Sequence, residues 1–147
     1  MTEKQTTPAE ETRLILPPID HAAPGSRKLE KERRRLSGAW IDAREAYNET
    51  VDDMNEARDA LLASPESVEA RETLEREVAR NRDAMKVLVD ARENYHEYLI
   101  GRMTTSDGTS VADALDQISQ NDFDLLVTLD VESVVIPKAG AGTSPTG

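Results

Sequence analysis

Between residues 26 and 63 the chain has no proline, and apolar side chains return in alternating steps of four and three. The series is Leu36, Trp40, Ala43, Tyr47, Thr50, Met54, Ala57, Leu61, with Leu29 one heptad earlier and Arg33 breaking the row between them. A mean period of 3.5 residues predicts a helix with one seam turned to another helix. A second series follows: Leu74, Val78, Asn81, Met85, Leu88, Arg92, Tyr95, Leu99, flanked by Val68 and Ala91. Between the two, Ser64-Pro65-Glu66 predicts a restart. Ser64 would cap the new helix, Pro65 suits its first position, and Glu66 meets the positive end of the helix dipole.

Two helices of about 38 residues, each roughly 55 Å long, then fold back as an antiparallel hairpin over residues 26–103, with its turn near 63–66. Folding about Ser64 sets Leu61 beside Val68, Met54 beside Leu74 and Val78, Tyr47 beside Asn81, and Trp40 beside Leu88. The expected hairpin core is Leu36, Trp40, Tyr47, Met54, Leu61, Leu74, Val78, Met85, Leu88, Tyr95 and Leu99.

The flanks are less regular. Residues 1–25 read as a flexible arm, because Pro17-Pro18 and Pro24-Gly25 stop any helix. Within it Leu14, Ile15 and Leu16 form an apolar patch too short to fold alone, and a candidate for docking on the hairpin or on a partner. Residues 104–130 predict short acidic helices. Ser110 with Asp113 and Ser119 with Asp122 are N-terminal capping pairs, and Phe123, Leu126, Val127 and Leu129 follow the second. Residues 131–136 are β-branched and suit a short strand or an extended arm, which begins a C-terminal tail over 131–147. The fold class is all-α: a long, coiled-coil-like antiparallel hairpin with short C-terminal helices and flexible arms. A two-helix seam buries only one stripe of each helix, while every ordered residue costs entropy. The hairpin therefore calls for a third surface. Leu14, Ile15, Leu16, Phe123, Leu126, Val127 and Leu129 are the candidate partner-binding residues.

Composition narrows the function. In 147 residues there are 29 Asp and Glu against 18 Lys and Arg, a net charge of -11, and no cysteine. Lack of cysteine removes disulfide scaffolds and most structural zinc sites. The charge balance is opposite to that of a nucleic-acid-binding domain. No apolar run is long enough to span a membrane, and the first residues carry no signal-peptide pattern. These features predict a soluble intracellular protein in the cytoplasm. The charge is uneven: the last 44 residues hold seven acidic groups and one basic, a net -6.

Candidate chemistry is sparse. Arg27, Lys28, Lys31, Arg33, Arg34 and Arg35 crowd the hairpin's start, but helical spacing spreads them round the cylinder and Glu30 and Glu32 interrupt them. A solvated helix end, or a match to the acidic C-terminal third, fits better than nucleic acid. Glu93 and His96 have the Glu-x-x-His spacing of ferritin-like metal helices, yet Tyr95 on the seam puts both on the wetter face. Asp52-Asp53 and Asp122-Phe123-Asp124 lack calcium-loop spacing, and neighbouring helical residues point about 100° apart. There is no phosphate-cradling glycine loop and no nucleophile elbow. No catalytic, cofactor or metal residue is assigned, and the chain is read as a non-enzyme.

Small acidic helical proteins with a Ser/Thr/Pro/Gly end resemble assembly proteins of actinobacterial tailed phages. The stretch Ala114-Leu115-Asp116, then Asn121-Asp122-Phe123-Asp124-Leu125-Leu126-Val127, with a small-residue tail, looks like the end of a tail assembly chaperone. The resemblance covers about 30 residues, and the long hairpin departs from that family and suits a scaffold better. It implies a non-enzymatic interaction protein of virion assembly, with a protein partner or self-association, acting in the host cytoplasm. The alternatives are a structural head or tail subunit whose arms order on neighbours in the virion, and a metal-binding hairpin of ferritin-like type.

Overall fold

The computed structural model describes residues 11–129 and 131–137. The elements in chain order are β1 (Arg13–Ile15), α1 (Ser26–Ala63), α2 (Val68–Arg102), β2 (Thr104–Thr105), α3 (Val111–Gln117), α4 (Gln120–Thr128) and β3 (Ser133–Val135). The protein is mainly helical, with α1 and α2 packed together and a small sheet. The described residues form two compact units, 24–95 and 11–23 with 96–137. Helix α2 runs through the boundary between them.

In the first unit α1 starts from Gly25, whose backbone is left-handed with φ 85°, a conformation glycine adopts without a Cβ penalty. Its buried seam positions are Leu36, Ala43, Thr50 and Ala57, one per heptad. Trp40, Tyr47, Met54 and Leu61, the other half of the seam, are half-buried. Helix α1 ends at Ala63, and the Ser64 N–H donates to the carbonyls of Ala60 and Leu61. A four-residue turn follows, closed by the Ser67 N–H on the Ser64 carbonyl at 3.0 Å, with Pro65 second in it. The cap of α2 is Ser67, whose Oγ accepts from the Ala70 N–H at 3.0 Å. The helix thus restarts three residues later than Ser64, and Pro65 and Glu66 belong to the turn.

That delay moves the pairing. Asn81 Nδ2 donates to Thr50 Oγ1 at 3.1 Å, and the Thr50 hydroxyl donates to the Tyr47 carbonyl at 2.6 Å. Asn81 is therefore bonded within one turn of its expected neighbour Tyr47. Trp40 instead packs on Tyr95, with ring centroids 5.6 Å apart, one heptad beyond the expected Leu88. Side chains lean toward their own helix N-terminus. In an antiparallel pair Trp40 leans away from the turn and Tyr95 leans toward it, so the two meet across the offset.

In α2 the row Leu74, Asn81, Leu88, Tyr95 is half-buried or buried, as expected. Its companion row is Ala70, Glu77, Ala84 and Ala91, all half-buried, of which the expected seam includes only Ala91, on its flank. Met85 departs from the expected core: it is 39% exposed. Arg71 and Arg92 of the same row are exposed too, while Val78 is half-buried and Leu99, farther along it, is buried.

The second unit is built on a three-stranded antiparallel sheet of order β2-β1-β3. Leu14 stands opposite Thr105 on one side and Val134 on the other. Side chains alternate across a strand, so Leu14, Leu16, Val134 and Ile136 share the buried face. Helix α3 packs on β1 and β2, and α4 on β3. Leu99, Met103, Ala114, Leu126 and Val127 complete the core. Both short helices start from serine caps, Ser110 Oγ accepting from the Asp113 N–H and Ser119 Oγ from the Asp122 N–H. The arm expected over residues 1–25 is thus, from residue 11 on, part of a folded unit, because β1 finds strand partners 90 and 120 residues away. The tail expected over 131–147 likewise holds β3. The remainder of both, residues 1–10 and 138–147, lies outside the described residues.

Candidate interaction surfaces

The residues expected to bind a partner are mostly interior. Leu14 and Leu126 are 0% exposed, Val127 2% and Leu16 7%. Ile15 and Phe123 are half-buried, and of the set Leu129 alone is exposed. The correction has a plain cause. A run of three apolar residues before Pro17 is too short to fold alone but long enough for a central strand, and its backbone is satisfied on both sides. Leu126 and Val127 sit on the face of α4 turned to that sheet.

Polar side chains stitch the same unit. The Thr12 hydroxyl donates to Asp107 Oδ2 at 3.0 Å, Arg13 Nε donates to Ser133 Oγ at 2.8 Å, and Arg102 Nη2 donates to the Pro17 carbonyl at 2.6 Å. Hydrogen bonds from Thr109, then from the Thr12 hydroxyl, hold the Asp107 carboxyl below its ordinary range. His96 meets Phe123 edge-on, with centroids 5.3 Å apart, so it is not on a wet face. Leu115, Ile118, Ser119, Gln120 and Phe123 line a shallow hollow of about 230 Å3. Among the described residues no group of three or more His, Cys, Asp or Glu could hold a metal ion, and no helix is long and apolar enough to cross a membrane.

The hairpin offers the larger open surface. Leu29 is 42% exposed, Ile41 41%, Leu62 70%, Val68 62%, Met85 39% and Val87, one heptad from Arg80, 58%. One side is bridged by charge: Arg80 Nη1 donates to Asp53 Oδ2 at 3.3 Å and also pairs with Glu77. Asp53 and Met54 flank the buried α1 row on opposite sides, as Arg80 and Met85 do in α2. The unbridged side therefore carries Tyr47, Met54 and Leu61 from α1 with Val78 and Met85 from α2. A shallow depression of about 520 Å3 on the bridged side is lined by Ala60, Ala70, Thr73, Arg76 and neighbouring polar groups.

Charge is polarised along the hairpin. Residues 46–85, the half with the turn, hold eleven acidic and five basic side chains. Residues 26–45 with 86–95 hold six acidic and nine basic. At the basic end Glu30 accepts from Arg33 Nη2 at 2.6 Å and from Arg34 Nε at 2.9 Å, which brings its carboxyl down to about 2. Arg33 is held charged in turn, chiefly by Glu30. Its half-buried side chain on the seam is thereby accommodated. Comparison of the chain with protein families, curated proteins and solved structures finds no match.

Proposed function

We propose that this chain is a non-enzymatic helical interaction protein of phage virion assembly, a tail assembly chaperone or scaffold working in the host cytoplasm. The observation that carries the reading is the unbridged side of the hairpin, where apolar side chains stay partly open along much of its length. A helix pair with one apolar flank open is suited to reversible capture of another helical segment, and the acidic half opposes unspecific aggregation. The resemblance of residues 114–127 to the end of a tail assembly chaperone supplies the phage setting.

Mass spectrometry of purified particles and of host lysate tests this. A chaperone or scaffold is present in infected cells, bound to another assembly protein, and absent from mature particles. Recovery in stoichiometric amount from mature particles would make it a structural subunit instead. That second reading draws less from the structure, because the segments 11–16 and 133–136, expected to order on neighbours, pair within the chain itself.

A further inference from the structure

We propose that the unbridged side of the hairpin is a docking groove for an acidic amphipathic helix of a partner protein, held by Arg44 and Arg58 of α1 and by Arg71, Arg82 and Arg92 of α2. The inference rests on the interaction reading above and deepens it by naming the chemistry of the partner's segment.

The sign of the charge carries it. Next to the Met54 row of α1 lies the row Ser37, Arg44, Val51 and Arg58. In α2, Arg71 and Arg92 share the row of Val78 and Met85, and Arg82 stands in the row beyond. All five arginines are exposed. Between residues 37 and 92, these two rows and the next one outward on each helix hold one carboxylate, Glu75. The matching rows on the bridged side hold seven, Asp42, Glu49, Asp53 and Glu56 on α1 with Glu69, Asp83 and Asp90 on α2, against Arg76 and Arg80. Exposed apolar side chains occur on both sides, Val87 among them, so it is the arginines that choose this one. They are also held in reserve. Arg33, Arg34, Arg35 and Arg80 pair with Glu30, Glu32, Asp53 or Glu77. Among the described residues Arg44, Arg71, Arg82 and Arg92 enter no ion pair, and Arg58 meets only Asp59, at 3.9 Å. The spacing explains this: no acid stands three or four residues from Arg44, Arg58, Arg82 or Arg92, and Arg71 has one, Glu75. Guanidinium forks bind carboxylates two hydrogen bonds at a time. Val51 sits between the arginines of its row, and Val78 with Met85 between those of theirs. A helix with an apolar row and carboxylates on both sides of it matches this alternation. From Arg71 to Arg92 the strip is roughly 30 Å long, the length of a helix of about 20 residues. A phosphate backbone would leave Val51, Val78 and Met85 uncovered, and would meet a chain of net charge -11.

The test uses the full chain and a labelled synthetic peptide of about three heptads, with Leu at the seam positions and Glu at the positions flanking them. A second peptide carries Lys in place of every Glu. Fluorescence anisotropy should show the Glu peptide bound about tenfold or more tighter than the Lys peptide, the difference shrinking as sodium chloride rises. Arg44→Gln, Arg82→Gln and Arg92→Gln together should remove most of that preference while circular dichroism stays unchanged. Arg44→Glu, Arg82→Glu and Arg92→Glu together should reverse it. Arg76→Gln, on the bridged side, should leave it as in the parent chain. A chain that favours the Lys peptide, binds both alike or binds neither overturns the proposal, as does a preference that survives the triple glutamine variant. Tighter binding of a DNA duplex of about 20 base pairs than of the Glu peptide, lost in that variant, overturns it in favour of a nucleic-acid surface. Capture of another assembly protein that the triple glutamine variant retains overturns this inference and leaves the interaction reading in place. Arginine-dependent binding of the Glu peptide by a chain that stays in mature particles upholds this inference and removes the chaperone reading.

Discussion

Glu30 shows how far one carboxylate can shape a helix end. Its ordinary value of 4.5 falls to about 2 because Arg33, then Arg34, hydrogen-bond the charged form. A carboxyl depressed on folding contributes stability that is complete above its unfolded value and is lost as pH falls through the folded one. The contribution should therefore fade between about pH 4.5 and 2. Thermal unfolding followed across that window should depend less on pH in Glu30→Gln than in the parent chain, while the two curves converge near pH 2. A second residue, Gly108, has φ 85° with open space where a Cβ would stand. Gly108→Ala should cost about 1–2 kcal/mol through backbone strain alone, read by chemical denaturation.

At the scale of elements, the helix restart and the central strand make the sharpest tests. Ser67 caps α2 with its hydroxyl, while Ser64 closes α1 with its backbone. Ser67→Ala should then cost about 1 kcal/mol and Ser64→Ala little. Equal losses at the two positions would contradict this assignment. Leu14 is fully buried in β1, so Leu14→Ala should cost about 2–5 kcal/mol in denaturant unfolding. A docking residue on a flexible arm would leave that curve unmoved. Most of the helical architecture was legible at this scale: both long helices, both serine caps of α3 and α4, and the polar Asn81 on the seam. The sheet was not, because β1 has only three residues and its signal lies in partners far along the chain. Of the half-buried row Ala70, Glu77, Ala84 and Ala91, only Ala91 was legible, as a flank of the seam. Alanines contribute little to an apolar count, so Ala70 and Ala84 do not stand out in it.

At the scale of the molecule, folding is shared between a hairpin with a thin seam and a small unit with a closed core. Deep burial concentrates in the second, where Leu14 and Leu126 are inaccessible. In residues 24–95 the buried side chains include the small or polar Ala43, Thr50 and Ala57. Hydrogen exchange should consequently show the amides of α1 near the turn opening at lower free energy than those of β1.

The heptad period, the prolines and the capping serines already dictate two long helices, their antiparallel return and two short helices near the end. These are local matters, decided by residues within a turn or two of one another. The charge asymmetry, too, can be read along the chain. What needed the folded molecule was everything that depends on distant partners. Whether residues 14–16 are a docking patch or a central strand turns on Thr104, Thr105 and Ser133–Val135. Whether Met85 is core or rim turns on how far its position is rotated from α1, which its 39% exposure shows and the heptad period alone does not. Whether Trp40 meets Leu88 or Tyr95 turns on three residues taken up by the turn and on the lean of side chains in opposed helices. Each of these compares two arrangements with the same local pattern, and only packing separates them.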